Sequence, residues 1–228
     1  MNRRSLFTTG LRAAVPAAAM AAGAAGIFAP AATASTGGDR TTGKKGARAG
    51  YFPNVLMRTH EDKPIRFYDD VIHGDKTVLI NFMYTVCTGK CPGTTDNLLE
   101  VQSLLGNRVG RDVFMYSITL DPERDSPKAL RDYAEMYEVK PGWQFLTGDK
   151  ADIETLRRKL GFVDPDPKRD ADPANHAGVI VYGNEAIDRW AACPAKAKPE
   201  NIIDLIDWMN RTRLPNYQGL NRPRKIES

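Results

Sequence analysis

Residues 77–105, TVLINFMYTVCTGKCPGTTDNLLEVQSLL, read as a strand, a short loop carrying two cysteines, and a helix. The run TVLINFMY is almost unbroken in β-branched, aromatic and other apolar residues, the pattern of a central strand covered on both faces. Beyond the loop, Pro92 suits a first helical turn, and Leu98, Val101, Gln102 and Leu105 recur at helical spacing. Cys87 therefore follows a strand, and Cys91 stands at the mouth of a helix, where the positive end of the dipole favours thiolate. Two thiolates on one loop can bind a soft metal or close into a disulfide. Lys90, between them, adds positive charge that also favours thiolate.

Outward from this stretch the chain alternates between strand and helix patterns. Ahead of it, residues 55–57 and 65–68 are short strand candidates around the polar turn His60-Glu61-Asp62-Lys63, a hairpin preceding the main sheet. After it come a strand over 113–120, a helix opened by Pro127, a short strand at Phe145-Leu146, and a helix capped by Asp149 or Asp152 with Ile153, Leu156 and Leu160 on one face. Residues 164–175 form a polar, proline-containing insertion with the weakest structural signal of the domain. Strands over 179–182 and 186–190 are expected to meet at a Gly183-Asn184 turn, and Pro199 opens a last helix. Strands separated by helices imply parallel crossovers, and the final pair adds antiparallel edges. The predicted fold is α/β: a thioredoxin-like, three-layer domain over 51–212 with an extra N-terminal hairpin and a C-terminal ββα unit.

The N-terminus carries Arg3-Arg4, an alanine-rich, weakly apolar run and Ala32-Thr33-Ala34, the pattern of a twin-arginine export signal over 1–34. Pro16, Gly23 and Gly26 interrupt that run, which argues against a membrane-spanning helix. A flexible leader (35–50) and a polar tail (213–228) flank the domain. Of the 32 Lys and Arg, three (Arg3, Arg4, Arg12) fall in the signal, so the remainder nearly balance 28 Asp and Glu. Near neutrality gives no reason to expect nucleic acid as a partner. Only 3 cysteines occur in the 228 residues, too few for a disulfide-stapled scaffold, which leaves them available for chemistry.

Four local patterns resemble the SCO/SenC family of copper chaperones, which help assemble the binuclear copper centre of cytochrome c oxidase. They are FMYTVCTGKCP (82–92), TTDNL from Thr94, SITLDPERDSP (117–127), and a lone histidine, His176, opening a late strand. The resemblance implies a thioredoxin-like fold, copper as cargo, and Cys87, Cys91 and His176 as its ligands. It also implies a copper-acceptor protein as partner, such as the oxidase copper subunit, with a copper donor or thiol reductant as a further one. The alternative it leaves open is a thiol-disulfide oxidoreductase using Cys87 and Cys91 as a redox-active pair. The expected setting is the periplasm or the outer face of the cytoplasmic membrane. Two positions depart from the family pattern: Thr88 stands where proline is common, and Asn175 where aspartate often precedes the histidine, removing one carboxylate beside the imidazole.

Lys90, Asp121 and Asn175 are the candidates for tuning the site without binding metal, although Asp121 also suits a turn-capping role in LDPERD. His60 and His73 lie in polar turns and are expected to be solvated. Cys193 has no cysteine or histidine near it in sequence and reads as an incidental thiol.

Overall fold

The structure, a computed structural model, describes residues 48–86, 90–172 and 175–210, with residues 90 and 91 given as backbone only. The expected export signal, most of the leader, Cys87, Thr88 and the C-terminal tail lie outside the described residues.

Strands β1 (Leu56–Thr59) and β2 (Pro64–Arg66) form the N-terminal hairpin. A helical turn, Phe67–Ile72, follows directly. Tyr68, expected to end the second strand, instead lies in this turn, because the Asn54 side-chain oxygen accepts from the N–H groups of Tyr68 (3.1 Å) and Asp69 (3.2 Å). The central unit is β3 (Thr77–Met83), α1 (Lys90–Leu105), β4 (Val113–Thr119), α2 (Pro127–Met136), β5 (Trp143–Gly148) and α3 (Lys150–Lys159). A short α4 (Pro167–Asp170) occupies the insertion, and β6 (Val179–Asn184), β7 (Arg189–Pro194) and α5 (Pro199–Asn210) complete the domain.

The strands form one sheet in the order β2-β1-β5-β4-β3-β6-β7. β3, β4 and β5 are parallel neighbours, while β1 and β6 join them antiparallel. All seven residues of β3 are buried, as expected of a strand covered on both faces. Its alternation sorts the core. Leu79 and Met83 pack with Leu98 and Val101 of α1 and with Ile202 and Ile206 of α5. Val78, Ile80 and Phe82 pack on the other face with Val71, Ile72, Ile153 and Leu156. On the first of these faces, Trp143 Nε1 donates to Ser117 Oγ (2.9 Å), which donates to Asn81 Oδ1 (2.8 Å), so these buried polar groups satisfy one another.

The last hairpin differs from expectation. Gly183 pairs with Trp190 and Asn184 with Arg189, so both residues expected to form the turn remain in the ladder. The chain reverses through Glu185–Ile187, with Asp188 left-handed at φ 48. Asn184 serves as the cap, its side-chain oxygen accepting from Ala186 N at 3.0 Å. Among the described residues no helix is long and apolar enough to cross a membrane.

Candidate metal centre

The loop carrying the cysteines leaves the C-terminal end of β3, where β4 continues the parallel ladder: Leu120 N donates to Met83 O at 2.8 Å. Two residues before Cys87, the chain is pinned by Asp125, which is 0% exposed. The Asp125 side chain accepts from Thr85 N (3.2 Å), from the Thr85 hydroxyl and from the Thr119 hydroxyl. Lys90 and Cys91 are the first two residues of α1. That helix is anchored by polar side chains on its inner face. Thr94 Oγ1 donates to Ala177 O (3.3 Å), Thr95 Oγ1 pairs with the Tyr133 hydroxyl (2.7 Å), and Asn97 Nδ2 reaches Ala195 O (2.9 Å) and Ala197 O (2.8 Å). The first of these bonds links the turn of α1 that holds residue 91 to the residue immediately after His176.

His176 is 4% exposed and lies just ahead of β6. Its Nε2 lies 2.8 Å from Asp170 O, at the C-terminus of α4, and 3.5 Å from Asp170 Oδ1. Arg157, from the buried face of α3, holds this corner together. It grips Glu154 through Nε and Nη2 (2.8 Å each) and Asp170 through Nη1 (2.8 Å) and Nη2 (2.9 Å), and it donates to Phe162 O. The Arg157 guanidinium keeps the Asp170 carboxyl well below the usual carboxylate range, helped by the Asp164 N–H. Glu154 is held low by the same arginine, whose own pKa is raised by Glu154 and then Asp170. His176, Arg157 and Asp170 line a cavity of about 880 Å³ that also takes in Leu120 and Pro122 at the end of β4. Among the described residues no three His, Cys, Asp or Glu side chains converge as a metal site, and the sulfur atoms of Cys87 and Cys91 lie outside them.

Asp121 sits in the β4–α2 turn, its carbonyl accepting from Arg124 N (3.1 Å) and Asp125 N (2.8 Å) and its carboxylate 3.7 Å from Arg124. Asn175 points its amide at Arg169 O, 2.9 Å away, which ties down the insertion. The Asp170 carboxylate stands 3.5 Å from His176 Nε2. His60 and His73 are half-buried instead of solvated. His60 accepts from Phe145 N (3.2 Å) and packs edge-on against that ring, and burial pulls its pKa below the ordinary value. His73 stacks on Tyr68. Cys193 is buried among apolar side chains, which pushes its thiol up to about 11.

Asp125, Arg157 and Asp170 went unmarked as site residues in the sequence. Asp125 was visible as the last acid of DPERD. Arg157 could have been noticed as a charged residue one position after Leu156 on a helix whose apolar face is turned inward, where a charge is rarely buried without a partner.

A family model described as SCO1/SenC matches residues 62–209. The SCO1 protein homolog of Bacillus subtilis is 35% identical over 83 residues, 36% of this chain and 42% of the relative. Protein sco1 of Schizosaccharomyces pombe is 33% identical over 112 residues, 47% of this chain and 41% of that one. The matched stretch thus spans about two fifths of these relatives' length. Among solved structures, yeast Sco1 with copper bound superposes with TM-score 0.55 at 19% identity, covering 72% of this chain and 94% of that one. BsSco, described as having a disulfide switch and as a member of the Sco family of cytochrome c oxidase assembly proteins, gives TM-score 0.55 at 21% identity over 68% of this chain and 92% of its own. Both likenesses support the thioredoxin-like fold.

Proposed function

The chain belongs to the SCO1/SenC family, and from that premise we propose that it is an exported copper-binding chaperone that holds copper through Cys87, Cys91 and His176. It delivers the ion to a cuproprotein such as cytochrome c oxidase, outside the cytoplasmic membrane. The observation that carries this reading is the hydrogen bond from Thr94 to Ala177, 3.3 Å long, because it joins the turn bearing Cys91 to the residue beside His176. Copper(I) favours thiolate and copper(II) accepts imidazole, so two sulfurs and one imidazole can hold either state. α1 adds the positive end of its dipole near residue 91, favouring the thiolate a soft ion needs. Asp125 fixes the chain entering the loop at Thr85, and the α3–α4 corner fixes His176.

The test is copper stoichiometry and the thiolate-to-copper(II) absorption band of the purified protein, repeated with His176→Ala. One copper per chain and a band that shifts or disappears in the variant are expected. Unchanged binding and spectrum in His176→Ala remove the histidine from the site. The disulfide switch described for BsSco favours a second reading, a thiol-disulfide oxidoreductase acting on the thiols of a copper-acceptor protein. That reading needs Cys87 and Cys91 but not His176. An insulin or partner-thiol reduction assay with a measured reduction potential separates the two, and a pair that cannot be cycled rules out the oxidoreductase.

A further inference from the structure

The β1–β5 register, with Thr59 opposite Leu146, carries on one residue to set His60 opposite Phe145. An antiparallel pair in that position would exchange two backbone hydrogen bonds. One of them forms: His60 N donates to Phe145 O at 2.8 Å. The returning Phe145 N–H goes to His60 Nδ1 instead, at 3.2 Å. The His60 carbonyl is thereby left for α2, whose Arg131 Nε donates to it at 3.1 Å. One residue thus ties the tip of the N-terminal hairpin to both β5 and α2, and its ring packs edge-on against the Phe145 ring with centroids 5.9 Å apart. Because an amide N–H can only donate, Nδ1 must offer it a lone pair, which a doubly protonated imidazole lacks. Phe145 is 0% exposed, so its N–H has no water to turn to while the hairpin stays closed.

We propose that His60 is an acid-sensitive stitch: its neutral ring stands in for a backbone carbonyl in the β1–β5 ladder, and when the imidazole takes up a second proton the hairpin tip comes away from β5 and α2. The charged groups acting on the ring are Glu61 and Lys63 from its own turn and Arg131 from α2, while β5 meets it with backbone and the Phe145 ring. Burial lowers the His60 pKa; Glu61 and then the Phe145 backbone oppose this, and Arg131 and Lys63 add to the lowering. The closed hairpin therefore resists a proton that the open one accepts at the ordinary histidine value of 6.5. The stitch contributes its full stability above that pH and loses it as pH falls below, because the open form then binds more protons than the closed one. Neither the cysteine loop nor His176 takes part, so the stitch stands apart from the copper reading.

The experiment follows the His60 imidazole and the Phe145 amide together in the full-length chain by nuclear magnetic resonance from pH 8 to pH 5. Amide exchange is corrected for its intrinsic pH dependence, and Ile118 of β4 serves as the reference. The His60 midpoint should lie below 6.5, and Phe145 protection should fall in step with it by about 2–10-fold, the worth of one hydrogen bond, while Ile118 does not change. A midpoint at or above 6.5, or Phe145 protection that stays constant while His60 titrates, overturns the stitch whether or not any variant folds. His60→Asn places a side-chain oxygen where Nδ1 stands and does not titrate, so native Phe145 protection should survive across the whole range with no step. A step that persists in His60→Asn belongs to another group and overturns the assignment to His60.

Discussion

Asp125 lies at the point where packing hands over to chemistry. Its side chain is buried to 0% exposure, two residues downstream of the surface residue Glu123, and it receives one backbone and two hydroxyl hydrogen bonds. Hydrogen bonds to a charged group each contribute about 1.5–3 kcal/mol, and donors left buried without a partner add a desolvation cost. Asp125→Ala strands the Thr85 N–H and the Thr85 and Thr119 hydroxyls together. The expected loss is about 2–5 kcal/mol in a denaturant titration, with faster thiol alkylation of the cysteine loop because residue 85 is no longer held. A loss below about 1 kcal/mol, which is surface-like behaviour, would show that Asp125 does not pin the loop. At this scale the cysteines were legible in the sequence because their signal is local, a strand pattern before and a helix pattern after. Arg157 and Asp170 were not, because their roles arise from contacts across a segment with no periodicity to read.

Among the elements, β3 and α1 stand where their patterns placed them. Leu98, Val101, Gln102 and Leu105 all turn inward, since an amphipathic face has only one way to be buried. The β6–β7 hairpin was misplaced because Gly-Asn is a strong turn dipeptide, while the actual role of Gly183 is to make room for an aromatic ring. A Cβ on Gly183 would sit 2.2 Å from Trp190 Cε3 and 2.4 Å from its Cδ2, and the ring cannot retreat freely because it packs on Phe52 with centroids 4.8 Å apart. Gly183→Ala should therefore destabilise by about 1–3 kcal/mol through overpacking, lowering the melting temperature by roughly 2–4 °C per kcal/mol for a domain of this size. If Gly183 were merely a turn residue, Trp190→Ala would not relieve that loss. The prediction is that it does: the double variant should be less destabilised than the sum of the two single changes, and strict additivity would refute the contact. The insertion shows the opposite case, a stretch with little sequence signal that becomes ordered through ion pairs, Arg157 to Asp170 at 2.8 Å and Arg169 to Asp164 at 3.1 Å.

For the molecule as a whole, the proposed ligands come from neighbouring strands of one sheet. The cysteine loop leaves β3, His176 precedes β6, and these strands pair directly, with Asn81 opposite Ile180. The corner that holds His176 belongs to α3 and α4, while α1 lies on the other face with α5. A copper ion shared by Cys87, Cys91 and His176 would therefore tie both helical layers to the sheet, and the whole cooperative unit should resist unfolding. Binding to the native state alone stabilises by about 2.7 kcal/mol when free ligand is 100 times the dissociation constant, or roughly 5–10 °C in melting temperature for a domain of this size. The reduced chain should show a rise of that order on adding copper. Two controls decide where the ion sits. The chain oxidised to a Cys87–Cys91 disulfide has no thiolates to offer and should show no rise, and His176→Ala should lose most of it, because two sulfurs on one loop can bind copper in the unfolded chain as well. A full rise in His176→Ala would mean that copper is held by the loop alone, and a full rise in the oxidised chain would place it elsewhere in the molecule.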